Sequence, residues 1–151
     1  MTHPRLAREV SKILSANDLG LTGGHQAGIL VPKQPEILRF FPSLDDTHLN
    51  PRCDVSVFCS ETSQYWVFHF IYYNNKVVGS GTRNEYRLTH MTGYLRVLGA
   101  DVGDTLSFIR SAVGDVEIRL DRQKLSLHAA GKPAELSTPG WKFKIMEGRG
   151  R

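Results

Sequence analysis

The chain predicts a single domain built mainly of β-strands with a few short helices, a small barrel or sandwich whose ends the helices plug. Three observations carry that reading. Period-two alternation recurs in segments of strand length, turn residues punctuate them, and helical periodicity is confined to short stretches. At 151 residues, with 40% hydrophobic and 23% charged, the composition is that of one folded domain over 1–151. No repeat, low-complexity tract or linker divides it.

Residues 6–14 are ambiguous, since Leu6, Val10, Ile13 and Leu14 suit a helix while Val10, Lys12 and Leu14 also alternate. A loop rich in glycine and amides follows over 15–28 and runs into Ile29-Leu30-Val31-Pro32. Pro35 then opens one short helix whose apolar face is Ile37, Leu38, Phe40 and Phe41, with Pro42 as its stop. Ser56 to Phe58 reads as a strand. Gln64 to Tyr73 reads as another, with Trp66, Phe68 and Phe70 alternating against Tyr65, Val67 and His69, which suits a sheet covered on both faces. Asn74-Asn75 should turn this strand back into Lys76-Val77-Val78 as a hairpin. Residues 104–112 and 116–121 flank Val113-Gly114-Asp115 as a second hairpin, and Trp141 to Met146 alternates as the last strand.

A net charge of +4 points weakly to a polyanionic partner. The distribution is more telling: Lys76, Arg83, Arg87 and Arg96 follow one another with only Glu85 between, and Lys142, Lys144, Arg149 and Arg151 crowd the C-terminus. No apolar run reaches membrane-spanning length and the first residues are mixed polar, so a soluble cytoplasmic protein with no membrane association is expected. Cys53 and Cys59 share one face of a strand, too far apart for a disulfide within it, and read as buried free thiols. With no Cys-x-x-Cys or paired-histidine spacing, a zinc site from these and His48 or His69 is not expected, nor is any cofactor.

The tract Thr82-Arg83-Asn84-Glu85-Tyr86-Arg87 follows the flexible Gly79-Ser80-Gly81. Its side chains are those that read base edges: arginine pairs with guanine O6 and N7, asparagine with adenine N6 and N7, and glutamate accepts from cytosine N4. A solvated strand edge would carry the same charges. Upstream, the Gly23-Gly24 pair permits close backbone approach to phosphate, and His25 and Gln26 offer donors to a groove; no Lys-Ser or Lys-Thr follows, so this is not a P-loop.

These two stretches resemble one known family. Leu14 to Asp18 and Thr22 to Gln26, leading into Pro32, look like the first arm of the N-terminal effector domain of EcoRII-type restriction endonucleases; Ile71 to Asn74, Gly79 and Thr82 to Glu85 look like the second arm, in the same order. The resemblance implies a seven-stranded DNA-binding pseudobarrel, shared with plant transcription factors of the B-three type, whose arms (about 14–28 and 79–90) grip the major groove. It favours a strand over Lys12 to Ser15, and it implies double-stranded DNA as partner, a CCWGG site (W is A or T), and a nuclease catalytic domain in the same or a separate chain. The implied DNA-binding residues are Lys12, Asn17, Thr22, Gly24, His25 and Gln26 in the first arm and Ser80, Thr82, Arg83, Asn84, Glu85, Tyr86 and Arg87 in the second. Among them His25, Arg83, Glu85 and Arg87 are the base readers, and Asn84 can equally cap a turn. An arginine and a glutamate together suit both members of a G·C pair. The chain departs from the family where lysines become Tyr86 and Gly81, with an insertion near Ser80.

Catalytic residues are not evident. There is no Pro-Asp followed by an acidic-x-Lys triplet, and no His-x-Lys with a downstream Asp; His128 and Lys132 have the wrong spacing. Two alternatives remain at this level. One is a small Mg²⁺-dependent endonuclease using Asp45, Asp46 and Asp54; the other is a barrel for single-stranded or RNA ligands stacking on Tyr65, Trp66, Tyr72 and Tyr73.

Overall fold

The computed structural model describes residues 7–22, 28–123 and 140–146. Eight strands form one sheet there: β1 (Ala7–Ile13), β2 (Ile29–Val31), β3 (Arg52–Cys59), β4 (Gln64–Tyr73), β5 (Glu85–Thr89), β6 (Thr105–Arg110), β7 (Val116–Asp121) and β8 (Trp141–Met146). Three short helices accompany them, α1 (Pro35–Leu38), α2 (Asn75–Val78) and α3 (Thr92–Val97). The order across the sheet is β2-β5-β4-β3-β7-β6-β1-β8, antiparallel except for one parallel pair, Phe58 with Glu117, where β3 meets β7. Although β2 and β8 end that order, the buried Trp141 indole N–H donates to the Leu30 carbonyl at 2.9 Å. The sheet therefore curls until its two edges meet, which is the mainly-β pseudobarrel expected. Seven strands are the expectation and eight are present among the described residues, the shortest being the three-residue β2.

Phe41 sits at the centre of the core. Its ring stacks on Phe70 of β4 at 5.1 Å and meets Phe108 of β6 and Trp141 of β8 edge-on at 5.7 and 6.2 Å. The expected helix thus does its work with the two phenylalanines that follow it: α1 begins at Pro35, buries Ile37, and delivers Phe40 and Phe41 into the open end of the curl. The strand option is the correct one over Ala7–Ile13, with Val10 and Lys12 inward and buried, but the strand stops before Leu14 and Ser15, which were expected to continue it. The 113–115 hairpin and the last strand also form as expected.

Three expectations need correction. The return of β4 is not Lys76-Val77-Val78 but β5; residues Asn75–Val78 make one helical turn, with Val77 and Val78 exposed. Asn74 causes this. It is fully buried, its Oδ1 accepts from the Asn50 N–H at 2.7 Å, its Nδ2 donates to His48 and Asp46 carbonyls, and its own carbonyl accepts from Val77 and Val78. Second, β4 is not covered on both faces along its length, for Tyr65 and Val67 are 73% and 50% exposed while Phe68 and Phe70 are buried. Third, α3 escaped the sequence reading, though Met91, Tyr94, Leu95 and Leu98 carry helical spacing and are all buried. Its end is a Schellman motif, Ala100 N–H to Leu95 carbonyl and Gly99 N–H to Arg96 carbonyl, with Gly99 at φ 63°.

Both cysteines are free, as expected; Cys59 is buried 3.7 Å from the Tyr94 hydroxyl, and Cys53 is half-buried, which raises its thiol pKa. Trp141→Phe keeps an aromatic ring but leaves the Leu30 carbonyl without this donor. It is expected to cost about 1–3 kcal/mol, read as a lower urea midpoint, and an unchanged midpoint would show that the edge-to-edge bond adds no stability.

Candidate nucleic-acid interface

The loop expected to form the second arm is built around Asn75. Its carbonyl accepts from Gly79 and Gly81 N–H, and its side-chain Oδ1 accepts from the Arg83 N–H at 2.7 Å; the Arg83 carbonyl in turn accepts from Lys76 N–H. The backbone of Arg83 is thus held on both sides. A Cβ at Gly81 would lie about 2.3 Å from the Asn75 carboxamide carbon, so glycine at this position is what lets the loop pack this closely. Ser80 and Thr82 stand exposed on the loop.

Beyond the loop, alternation along β5 sorts the candidates onto two faces. Glu85 and Arg87 lie on the outer face, opposite Tyr73 and Ile71 of β4, while Tyr86 and Leu88 face Tyr72 and Phe70; Arg83, just before the strand, meets Glu85 and Tyr73 on that outer face. Glu85 is shared between two arginines: Oε1 accepts from Arg83 Nε at 3.0 Å and Oε2 from Arg87 Nε at 3.0 Å. The Arg83 guanidinium also lies over the Tyr73 ring, 3.7 Å from its centroid. Arg83 is about one-third exposed, whereas Arg87 is 4% exposed and also donates to the Gly28 carbonyl at 3.4 Å. Asn84 Oδ1 accepts the Tyr72 hydroxyl at 2.5 Å, so the carboxamide has an internal partner on its acceptor side. Tyr86 stacks on Tyr72 at 4.2 Å with ring planes 7° apart. Burial, then Tyr72 and Asp46, raise its phenol pKa, so it stays a neutral donor. It lies on the opposite face of the strand from Glu85.

At the root of the first arm, Lys12 and Asp18 form an ion pair with Nζ–Oδ2 at 2.5 Å, their side chains 6% and 5% exposed. The same Asp18 oxygen accepts from Ser15 N–H, and Ser15 Oγ accepts from Asp18 N–H, a reciprocal cap that folds 15–18 into a turn. Asn17 and Thr22 are exposed and bonded to each other, Thr22 Oγ1 donating to Asn17 Oδ1 at 3.0 Å. Gly24, His25 and Gln26 lie outside the described residues. The arm rejoins the sheet at Gly28, whose φ of 87° and an added Cβ 2.1 Å from the Leu88 carbonyl oxygen admit no side chain. Because Arg87 reaches the Gly28 carbonyl, the two arm roots are joined through Gly28, Arg87, Glu85 and Arg83.

Sequence reasoning missed four of these: Asp18, Gly28, Tyr73 as a neighbour of Arg83, and Asn75. Only Asp18 had a local signal, the Ser-x-x-Asp spacing of a cap. The three aspartates of the endonuclease alternative do not gather. Asp45 bonds Thr47 and His48, which lowers its pKa, chiefly through the Thr47 hydroxyl; Asp54 faces His69 at 3.4 Å; and among the described residues no group of three or more His, Cys, Asp or Glu could hold a metal. The aromatic alternative fares no better as one platform, since Tyr65 is exposed, Trp66 and Tyr72 turn inward, and Tyr73 lies against Arg83. Among the described residues no helix is long and apolar enough to cross a membrane.

Lys12→Met is expected to cost about 3–5 kcal/mol by stranding the Asp18 carboxylate, and adding Asp18→Leu should restore most of it; urea denaturation of both variants checks this, and equal midpoints would deny the pair that role. Gly28→Ala should destabilise by more than the roughly 1–2 kcal/mol of a left-handed backbone alone, read from urea denaturation, and a stable variant would show that β2 can move away from β5.

The family described as "Restriction endonuclease EcoRII, N-terminal" matches residues 7–117. The Type II restriction enzyme EcoRII of Escherichia coli is 39% identical over 84 residues, covering 52% of this chain but only 19% of that enzyme. Among solved structures, the B3 domain of the UbaLAI restriction endonuclease with cognate DNA aligns at a TM-score of 0.52 and 24% identity, over 78% of this chain and 67% of that one. The Arabidopsis FUS3–DNA complex aligns at 0.55 and 16%, over 76% and 96%. The fold is the one these two domains share.

Proposed function

The chain belongs to the family of EcoRII restriction endonuclease N-terminal domains, and on that premise we propose that it binds double-stranded DNA of defined sequence through its two arms, as the effector or targeting module of a Type II restriction endonuclease. The observation that carries this reading is the pair Arg83 and Glu85 on the outer face at the start of β5. Arg83 keeps both Nη nitrogens without a hydrogen-bond partner among the described residues, and Glu85 stands beside it. A guanidinium whose Nε is occupied still presents two parallel N–H groups, which match guanine O6 and N7; a carboxylate oxygen with one arginine partner keeps lone-pair capacity for cytosine N4. One G·C pair thereby meets both of its readers.

The buried cations have a different part. Arg87 and Lys12 hold Glu85, Gly28 and Asp18 from beneath the arms, their charges matched by the carboxylates they bind. Ser80, Thr82, Asn17 and Thr22, all exposed, take the sugar-phosphate contacts. The site read is of the CCWGG type, as the resemblance in both arms implies, and the grip is on the major groove, where G·C and C·G differ. Catalysis belongs to a further domain in the same or a separate chain, consistent with a match to only 19% of the E. coli enzyme, and the module works in the cytoplasm.

Fluorescence anisotropy with a CCWGG duplex and a scrambled duplex at matched salt tests this, and equal affinities would overturn it. Arg83→Ala should cost about 1–3 kcal/mol of cognate affinity. Glu85→Ala should compress the cognate-to-scrambled ratio while leaving the scrambled affinity unchanged or stronger, because it removes a negative charge facing DNA. Unchanged ratios in both variants would place base reading elsewhere.

A further inference from the structure

Arg83 is supported in three directions, and only one of the supports is itself a reader of bases. Asn75 and Lys76 hold its backbone. Glu85 holds its Nε edge at 3.0 Å and so sets rotation within the guanidinium plane. The face of the plane rests on Tyr73, 3.7 Å from the ring centroid. An arginine fork discriminates guanine only when both its N–H groups point along O6 and N7 together, so the orientation of the plane, and not the charge alone, decides how strongly the base is read.

We propose that Tyr73 is a positioning residue for base reading, its ring presetting the guanidinium plane of Arg83. The inference rests on the DNA-binding reading above. Register places it: Tyr73 is the last residue of β4, directly across from Glu85, so ring and carboxylate meet the same guanidinium from two sides. Tyr73 also stands on the outer face, whereas Tyr72 beside it turns inward and is buried against Tyr86. The two neighbouring tyrosines, similar in sequence, thus have separate tasks. The ring is what acts, because the contact is between a cation and an aromatic face, and the hydroxyl is dispensable.

The test uses the full chain as wild type, Tyr73→Phe and Tyr73→Leu, with Arg83→Ala as reference. Affinities are measured for a CCWGG duplex, for duplexes each carrying one G·C to A·T change, and for a scrambled duplex over a salt series. Arg83→Ala identifies the pair that Arg83 reads. At that pair Tyr73→Leu should lose about fivefold in discrimination, the size of one cation–π contact, with scrambled-duplex affinity and salt slope unchanged; Tyr73→Phe should stay within about twofold of wild type. Retained discrimination in Tyr73→Leu overturns the proposal. So does equal loss in Tyr73→Phe, which would assign the effect to the hydroxyl, and so does a parallel loss on all duplexes, which would make Tyr73 merely structural. NMR without DNA separates this from failure of the functional reading. The Arg83 side-chain N–H resonances should be shifted upfield by the ring in wild type and Tyr73→Phe and not in Tyr73→Leu, whether or not the chain prefers CCWGG.

Discussion

The register of β5 against β4 is the constraint on which the rest of the structure depends. Tyr73 opposes Glu85, Tyr72 opposes Tyr86 and Phe70 opposes Leu88. A slip of one residue would turn Glu85 and Arg87 into the core and expose Tyr86 and Leu88, so one alignment sets both the packing and the surface. Two features hold it. The stacked Tyr72–Tyr86 and Phe70–Tyr86 rings fill the inner side, and Leu88 is fully buried between Phe70 and Ile29. On the outer side, the long connection through α2 ends where Asn75 captures the Arg83 N–H, which leaves no slack for an alternative alignment.

Buried charge sits where the arms leave the barrel. Lys12, Asp18 and Arg87 are each nearly inaccessible, and an isolated ion in such places would cost several kcal/mol. Each is offset by a partner and by backbone groups: Lys12 by Asp18 and the Ile13 carbonyl, Arg87 by Glu85 and the Gly28 carbonyl. A buried ion pair with its hydrogen bonds fixes geometry as well as offsetting its own desolvation, and here each one ties a loop to the barrel. An apolar replacement would pack as well while leaving the direction of each arm to its own loop.

Much of the scaffold was legible because its signals are local. Alternation in 116–121 and 141–146, Pro35 and Pro42 around an apolar run, and turn residues at 113–115 each depend on a few neighbouring side chains. Of the site, residue types were legible and their states were not. Arg83, Glu85 and Arg87 look equivalent in a row as charged residues two apart, yet one is about one-third exposed and another almost wholly buried. Arg87 bonds the Gly28 carbonyl, distant in sequence, beside the β2 strand that pairs with β5, and no local pattern reports that partner. The hairpin misread after Asn74 has a similar origin, since the Asn74 side chain is bonded to residues 46, 48 and 50, distant in sequence, while its carbonyl accepts from Val77 and Val78 in the helical turn.

By itself the sequence determined the class of fold, the family, and the two polar stretches that make up the arms, because hydrophobic period, turn chemistry and motif are properties of neighbouring residues. The tertiary structure alone decided that the sheet curls until Trp141 reaches Leu30, that Arg87 and Lys12 support the arms from within, and that Arg83 rests on Tyr73 with its outer edge open. Those outcomes are set by which strands become neighbours, and strand pairing over tens of residues is governed by the sum of packing and register rather than by any one segment.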